Sequence, residues 1–458
     1  MTAQNPSISA TLKKHPFLTG GGSFVLAIVL LVLFWSWDWF VPLVNSRATA
    51  MLHRKTSITH LHVSLGRVTT VQVDGVQVAQ PKTFAQDKTL FAEAKSLSIS
   101  VDVWSYLWHH ALRIPLVALD TPKLDIQARK NGQNNYTFTE EGTPQTKPET
   151  AEQSNTFTLP DISELRITAG SLSLHHAPLQ ADMSMAINTT APEGRSRGTL
   201  TIKAKGRYAQ QPITAQFIGG ALLSFVADTA PYPVDLHVQN GPTIASLQGQ
   251  IEHPLVLGGA QLKLHFAGPD MSLLYPLTGV PIPQTPAYNV TGTLDYTPSH
   301  ITFKEFQGKM GHSDISGTIS IDPHKKPPFV EATLASKQVD LVDLAGFIGA
   351  KPTKSKAEEK ADAKSTMVLP DTPINIPKLN AINAHVTYRG AHIENKNLPL
   401  DNIDTEFFIT DGAIALKRLN FAVGNGTLAS AATLTPDGKA FNTDARIDFA
   451  RIDLARIM

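Results

Sequence analysis

Hydrophobic and polar positions follow two regimes along this chain. From Phe24 to Phe34 the run FVLAIVLLVLF is apolar without a break, and no ionisable side chain occurs from Pro16 to Trp37. Those 22 residues, at about 1.5 Å of rise each, are enough to cross a hydrocarbon core of about 30 Å. The pattern predicts a membrane helix over 17–40, with Phe24, Val25, Leu26, Ile28, Val29, Leu30, Leu31, Val32, Leu33 and Phe34 in the hydrocarbon. Trp35 and Trp37, with Trp39 after them, have amphipathic rings suited to the headgroup layer. Ala48-Thr49-Ala50 is a nominal small-residue cleavage site, but it lies well beyond an apolar run already longer than a signal peptide uses, which favours an uncleaved anchor. Lys13 and Lys14 on one side and Arg47, Arg54 and Lys55 on the other leave the orientation open by charge alone.

Beyond residue 65 the period is two. Val71 and Val73, then Asp74-Gly75, then Val76 and Val78 predict a tight hairpin, because both residues of that pair tolerate a left-handed backbone. Alternation recurs at Leu97, Ile99, Val101 and Val103, at Leu172 and Leu174, at Met183, Met185 and Ile187, and at Leu262, Leu264 and Phe266. Each set falls on one face of a strand. Asp411-Gly412 and Asp437-Gly438 supply further turns. Helices are few: one carrying the anchor outward through Ala50 to Lys55, and one over Val103 to Ala111 with Trp104, Leu107 and Trp108 on one side.

A repeat runs through the second half. At a constant offset and with no gap, Ile301 matches Ile414, Phe303 matches Leu416, Phe306 matches Leu419 and Gly311 matches Gly424. Ile315 with Leu428, Ile321 with Leu434, Pro323 with Pro436, Leu334 with Ile447 and Asp340-Leu341 with Asp453-Leu454 keep the register. A partial third copy ends at Asp270-Met271. In all three a strand gives way to Asp and then to apolar residues three apart: Met271 and Leu274, Leu341 and Leu344, Leu454 and Ile457. An Asp side chain accepts from the first free amides of a helix, so the predicted unit is several strands closed by a short capped helix. Because the chain stops inside the third cap, the sequence predicts either a truncation at Met458 or a sheet edge that a partner completes.

Composition then excludes whole classes. There is no cysteine, so disulfides and thiolate metal sites are impossible. Forty Lys+Arg balance thirty-nine Asp+Glu, so there is no basic footprint for nucleic acid. The stretches EEGTPQTKPETAEQSNT and KPTKSKAEEKADAKS contain almost nothing to bury and read as linkers. Candidate chemistry is thin. His60 and His62 alternate on one strand face, and His109-His110 and His175-His176 are adjacent, yet no carboxylate or thiolate stands at a spacing that completes a metal site. Gly311-His312-Ser313-Asp314 collects the residue types of a hydrolase, but Ile315 occupies the place of the second glycine of a nucleophile elbow, so the segment reads as a turn into a strand. Gly20-Gly21-Gly22 lacks the Lys-Ser/Thr of a nucleotide loop. The residues point to no enzyme, no cofactor and no metal.

Several stretches resemble the AsmA family of envelope proteins, and within it the larger AsmA-like branch. They are SLGRVTTVQVDGVQVAQP at 64–81, LFAEAKSLSISVDVWSYL at 90–107, NGQNNYTF at 131–138, DMSLLYPLTGVPIPQTPAY at 270–288, GHSDISGTISI at 311–321, SKQVDLVDLAGFIG at 336–349 and ITDGAIALKRLNFAVGNGTLA in the last section. The resemblance implies a Gram-negative inner-membrane protein, single-pass, with a cytoplasmic N-terminus and its bulk in the periplasm. It also implies a β-groove that binds or conducts phospholipid in support of outer-membrane biogenesis. The alternative is a non-enzymatic scaffold affecting outer-membrane protein assembly, with an envelope protein at the C-terminal sheet edge.

The fold class expected is mainly β: one N-terminal transmembrane helix, then repeated antiparallel meander units forming a curled sheet or groove, with short capping helices. The organisation expected is a cytoplasmic N-terminus over 1–16, the anchor over 17–40, a first β section over 45–139, a linker over 140–156, a central β section over 157–350, a charged linker over 351–366 and a last β section over 367–458. Alternation defines two faces of each strand without naming the inner one, so it assigns no lipid-binding residue.

Overall fold

The computed structural model describes residues 35–87, 89–109, 112–138, 161–191, 198–221, 231–253, 258–280, 282–297, 299–344, 379–394, 400–423, 426–437 and 440–451. The expected linkers at 140–156 and 351–366 lie outside them, as do Phe24 to Phe34 of the expected anchor. Among the described residues no helix is long and apolar enough to cross a membrane. The chain groups into two compact units, 1–120 with 137–161 and 121–136 with 162–458.

The first unit opens with Trp35 and a 3-10 turn, Trp37–Phe40, followed by a helix over Val41–Leu52. Pro42 in its first turn presets the backbone for a helix and gives up no needed donor, and His53 in the left-handed region ends it. The helix thus starts before the Ala50–Lys55 stretch expected from the sequence and ends inside it, at Leu52. Its strands are β1 (Thr56–Ser57), β2 (His60–Ser64), β3 (Val68–Ala79), β4 (Leu90–Asp102), β5 (Arg113–Ile114) and β6 (Leu116–Asp120). β3 pairs β1, β2 and β4, and β4 pairs β6. A second helix, Val103–His109, follows β4. Arg54 is buried, its guanidinium 4.5 Å from the Phe91 ring centre and 4.1 Å from that of Phe138, which replaces water by two aromatic faces. Burial holds its pKa below the ordinary arginine value.

Asp74-Gly75 is not a hairpin. β3 runs straight through it, with Asp74 opposite Ser96 and Val76 opposite Ala94. Gly75 takes φ +63° while the pairing stays in step on both sides of it, and the Thr59 side chain fills the space where a Cβ would stand. The apolar residues change phase there, odd-numbered at Val71 and Val73 and even-numbered at Val76 and Val78.

The second unit holds β7 (Lys123–Ala128), β9 (Leu165–Thr168), β10 (Gly170–His176), β11 (Ala181–Thr189), β12 (Thr199–Tyr208), β13 (Gln211–Gly220), β14 (Tyr232–Asn240), β15 (Thr243–His253) and β16 (Gly258–Gly268); the two-residue β8 (Asp161–Ile162) straddles the division. β17 (Tyr288–Thr297), β18 (His300–Met310), β19 (Ser313–Asp322), β20 (Phe329–Asp340), β21 (Asn383–Glu394), β22 (Leu400–Thr410), β23 (Ala413–Val423), β24 (Gly426–Asp437) and β25 (Ala440–Ala450) continue it. β7 and β10 pair in parallel. From β10 to β20 each strand pairs antiparallel with the next, β20 and β21 join in parallel from Phe329↔Asn383 to Asp340↔Glu394, and β21 to β25 resume the meander.

The repeat read from the sequence is a repeat of register. Ile301↔Ile321 and Phe303↔Ile319 in β18–β19 correspond to Ile414↔Leu434 and Leu416↔Ala432 in β23–β24. The ladder slips at the same place in both copies, between Phe303 and Phe306 and between Leu416 and Leu419. The caps hold as well. Asp270 accepts from Ser272 N–H at 2.8 Å and starts a 3-10 turn, Met271–Leu274, that runs into a helical turn at Tyr275–Thr278. Asp340 accepts from Val342 N–H at 2.9 Å and starts a turn over 341–344. Asp453 lies outside the described residues. The Asp411-Gly412 turn joins β22 to β23 as expected.

Candidate functional site

Register, which the sequence alone does not supply, lines residues up across the second unit. One row runs Leu200, Gly219, Val234, Gly249, Leu262, Leu294, Phe303, Ile319, Ala332, Val386, Phe407, Leu416, Ala432, Ala445 from β12 to β25, every neighbour a paired residue. No polar side chain interrupts it. A second row on the same face passes through Ile187, Ile202, Phe217, Leu236, Leu247 and Leu264. The opposite face, one position along, reads Pro233, Gln250, Gln261, Asp295, Thr302, Ser320, Glu331, His385, Phe408, Ala415, Thr433, Asp444. The ladder therefore has an oily side and a wet side over its whole length.

The oily side is also the bare side. Gly206, Gly219, Gly249, Gly292, Gly308, Gly317 and Gly390 are mid-strand glycines, and all stand on it. Gly317, at φ +153°, shows why: a Cβ there would run into the Thr333 carbonyl of the adjoining strand. Tyrosines cover some of the gaps. Tyr232 lies across Gly219 and donates its hydroxyl to Gly220 O at 3.0 Å, and Tyr288 lies across Gly268. Burial pushes the Tyr288 phenol up to about 12, with the Thr243 hydroxyl opposing the rise and the Asp270 carboxylate adding to it. Burial also raises the Tyr232 and Tyr388 phenols.

Coverage of the oily side is uneven. Met271 and Leu274, held by the Asp270 cap, are buried with Tyr288, Val290, Phe306 and Met310. The same segment reaches back four strands, where Tyr208 of β12 donates to Pro276 O at 2.9 Å. Along the second row, by contrast, Ile187, Ile202, Phe217, Leu236, Leu247 and Leu264 are only half-buried. Ile447 and Phe449 on β25 are exposed.

The other residues singled out in the sequence have local explanations. Ser313 is buried; its hydroxyl donates to Asp343 Oδ2 at 2.7 Å and accepts from Asp340 N–H at 2.9 Å. Asp343 Oδ2 also accepts from His312 N–H and Ser313 N–H, both at 2.8 Å. The carboxylate thus locks the β18–β19 turn, and the Ser313 hydroxyl already has partners on both sides. Folding brings His312, Asp340 and Asp343 together, with ligand atoms within 4.8 Å of one another. Sequence spacing missed that trio because the carboxylates arrive from the end of another strand. His60 and His62 are exposed on β2, with His60 Nδ1 3.2 Å from Asp38 Oδ2. His175 lies 3.0 Å from Asp182, and His176 Nδ1 accepts from Leu179 N–H at 3.2 Å. Trp35 and Trp37 of the expected anchor pack edge to face at 5.3 Å, while His110 lies outside the described residues.

The AsmA family model matches residues 18–224 and again 200–458. The chain is similar to the AsmA family protein YhjG of Escherichia coli strain K12, at 24% identity over 487 residues covering 95% of this chain and 70% of the relative. No solved structure matches.

Proposed function

The chain belongs to the AsmA family, and from that premise we propose that it works in envelope biogenesis by holding phospholipid acyl chains on the oily side of its long sheet. The observation that carries this reading is the row from Leu200 to Ala445, unbroken by any polar side chain. An apolar surface removes acyl chains from water at about 0.8 kcal/mol per buried methylene, and it needs no reactive group to do so. The seven glycines support a curl toward the same side, because a sheet bends most easily toward the face with the smaller side chains. Headgroups would then stay at the wet rim while tails lie along the ladder.

In this reading the uncharged run from Pro16 to Trp37 crosses the Gram-negative inner membrane once, the N-terminus is cytoplasmic and the sheet lies in the periplasm. The test is to purify the full chain from membranes in mild detergent and analyse bound lipid by native mass spectrometry. The expected result is phospholipid retained in defined stoichiometry. Folded protein that is repeatedly free of lipid overturns the proposal.

A second reading is favoured by one observation, the exposed Ile447 and Phe449 on β25. In it the sheet is a scaffold that an envelope protein extends by pairing with that strand. Crosslinking from β25 that traps a single protein, with no lipid on the purified chain, would select it.

A further inference from the structure

One short helix is turned the wrong way for a helix in water. Val103–His109 is capped by Asp102, whose carboxylate accepts from Ser105 N–H at 3.0 Å. Trp104, Leu107 and Trp108, three and four residues apart, share a face that a water-facing helix would turn toward its core. Here Ser105 is buried, while Trp104, Leu107 and Trp108 are 53%, 61% and 67% exposed, the two indoles 5.7 Å apart. Next to them the β2–β3 turn presents Leu65, 76% exposed, and Arg67 beside Trp104 and Leu107 at an open recess. The pair Val68↔Asp102 puts that turn and this helix at the same end of the unit.

Three hydrogen bonds give the direction of the described chain as it is traced back toward Trp35. Helix Val41–Leu52 lies antiparallel to the strand segment beside it: Thr49 Oγ1 accepts from Thr56 N–H at 3.0 Å, Asn45 Oδ1 from Ile58 N–H at 2.8 Å and Asp38 Oδ1 from Leu61 N–H at 2.8 Å. Going back from Thr49 to Asp38 therefore means going forward along β2, toward Ser64 and Leu65. Traced back toward Trp35, the described chain therefore heads for the end that carries the exposed helix.

We propose that this end is a second membrane contact: Leu65, Trp104, Leu107 and Trp108 enter the headgroup–acyl boundary of the bilayer that holds the anchor, with Arg67 positioned for lipid phosphate. The inference rests on the anchor reading given above. The bilayer is the occupant because the 34 residues outside the described structure end at Trp35, on this unit, and contain an apolar run long enough to span it. Indole rings and a short apolar helix face are what the interface accepts. With two points of attachment the unit cannot swing freely about its anchor.

The chain has no cysteine, so single spin labels can be attached through Leu65→Cys, Leu107→Cys and, on the wet side of β12, Lys205→Cys. The full chain is reconstituted in vesicles of phosphatidylethanolamine and phosphatidylglycerol. The expected result is that labels at 65 and 107 gain collisions with dissolved oxygen and lose collisions with a water-soluble nickel chelate, while the label at 205 stays open to the chelate. Equal access to the chelate at 107 and 205 overturns the proposal. A label at 107 that is immobilised and closed to both reagents means that protein covers the patch, and overturns it too. An alkaline carbonate wash separates the two ideas: a water-exposed label on protein that resists the wash rejects the second contact alone, and release of the protein rejects the anchor and the contact with it.

Discussion

The oily face makes a demand that can be worked through. Phe217, Leu236 and Leu247 are consecutive members of one row on three adjacent strands, all half-buried. Two strand spacings of about 4.8 Å make roughly 10 Å of continuous apolar surface between the outer two. Changing Phe217 and Leu247 together to Asp puts a carboxylate at each end of that stretch. If about four methylenes of a bound tail lose their contact, the loss is about 3 kcal/mol, a little over a hundredfold in retention. The assay is lipid occupancy of the full chain by native mass spectrometry. The matched control is Gln216→Asp with Gln248→Asp, one residue away on the wet face, where both side chains are exposed. Occupancy should collapse in the first variant and persist in the second. Unchanged occupancy in a folded first variant, or an equal loss in both, refutes the assignment of the tail to this face.

Other consequences are independent of lipid. Asp343→Ala strips three hydrogen bonds from the β18–β19 turn and leaves buried donors unpaired, which should lower stability by about 3–5 kcal/mol in urea unfolding, with Asp343→Asn costing less. Because burial raises the Tyr288 phenol from 10.0 to about 12, the folded state favours its neutral form. That contribution is complete below pH 10 and is lost as pH rises through 12, so Tyr288→Phe should flatten this part of the alkaline unfolding limb. Leu30→Arg should impair membrane insertion by about 2.5–3.5 kcal/mol, read as loss of carbonate-resistant protein; unchanged fractionation would remove the anchor.

Alternation made the strands legible, because the pleat repeats every two residues and so do Met183, Met185 and Ile187. The ungapped match of Phe303 and Phe306 to Leu416 and Leu419 carried the bulge with it, since an extra residue is preserved only if the spacing around it is. Asp270 and Asp340 were legible for a similar reason: a cap is local chemistry. Asp74-Gly75 misled because a left-handed glycine inside a strand and a two-residue turn draw on the same backbone, and only the partner strand tells them apart. The face shared by Leu200 and Ala445 was invisible, since it depends on thirteen successive registers rather than on any one strand. The outward turn of Trp104, Leu107 and Trp108 was equally hidden, for spacing groups side chains without saying which way the group looks.

The shared slip between β18–β19 and β23–β24 has a consequence for how such a protein can evolve. A block of 113 residues advances the ladder by five strands, from β18 to β23, or about 24 Å at 4.8 Å per strand, and returns the β18–β19 pairing, slip included, to its starting phase in β23–β24. Length can be added or removed in such whole increments without disturbing the oily track. The architecture behaves like a graduated ruler, whose reach is set by counting blocks and whose surface is the same at every mark.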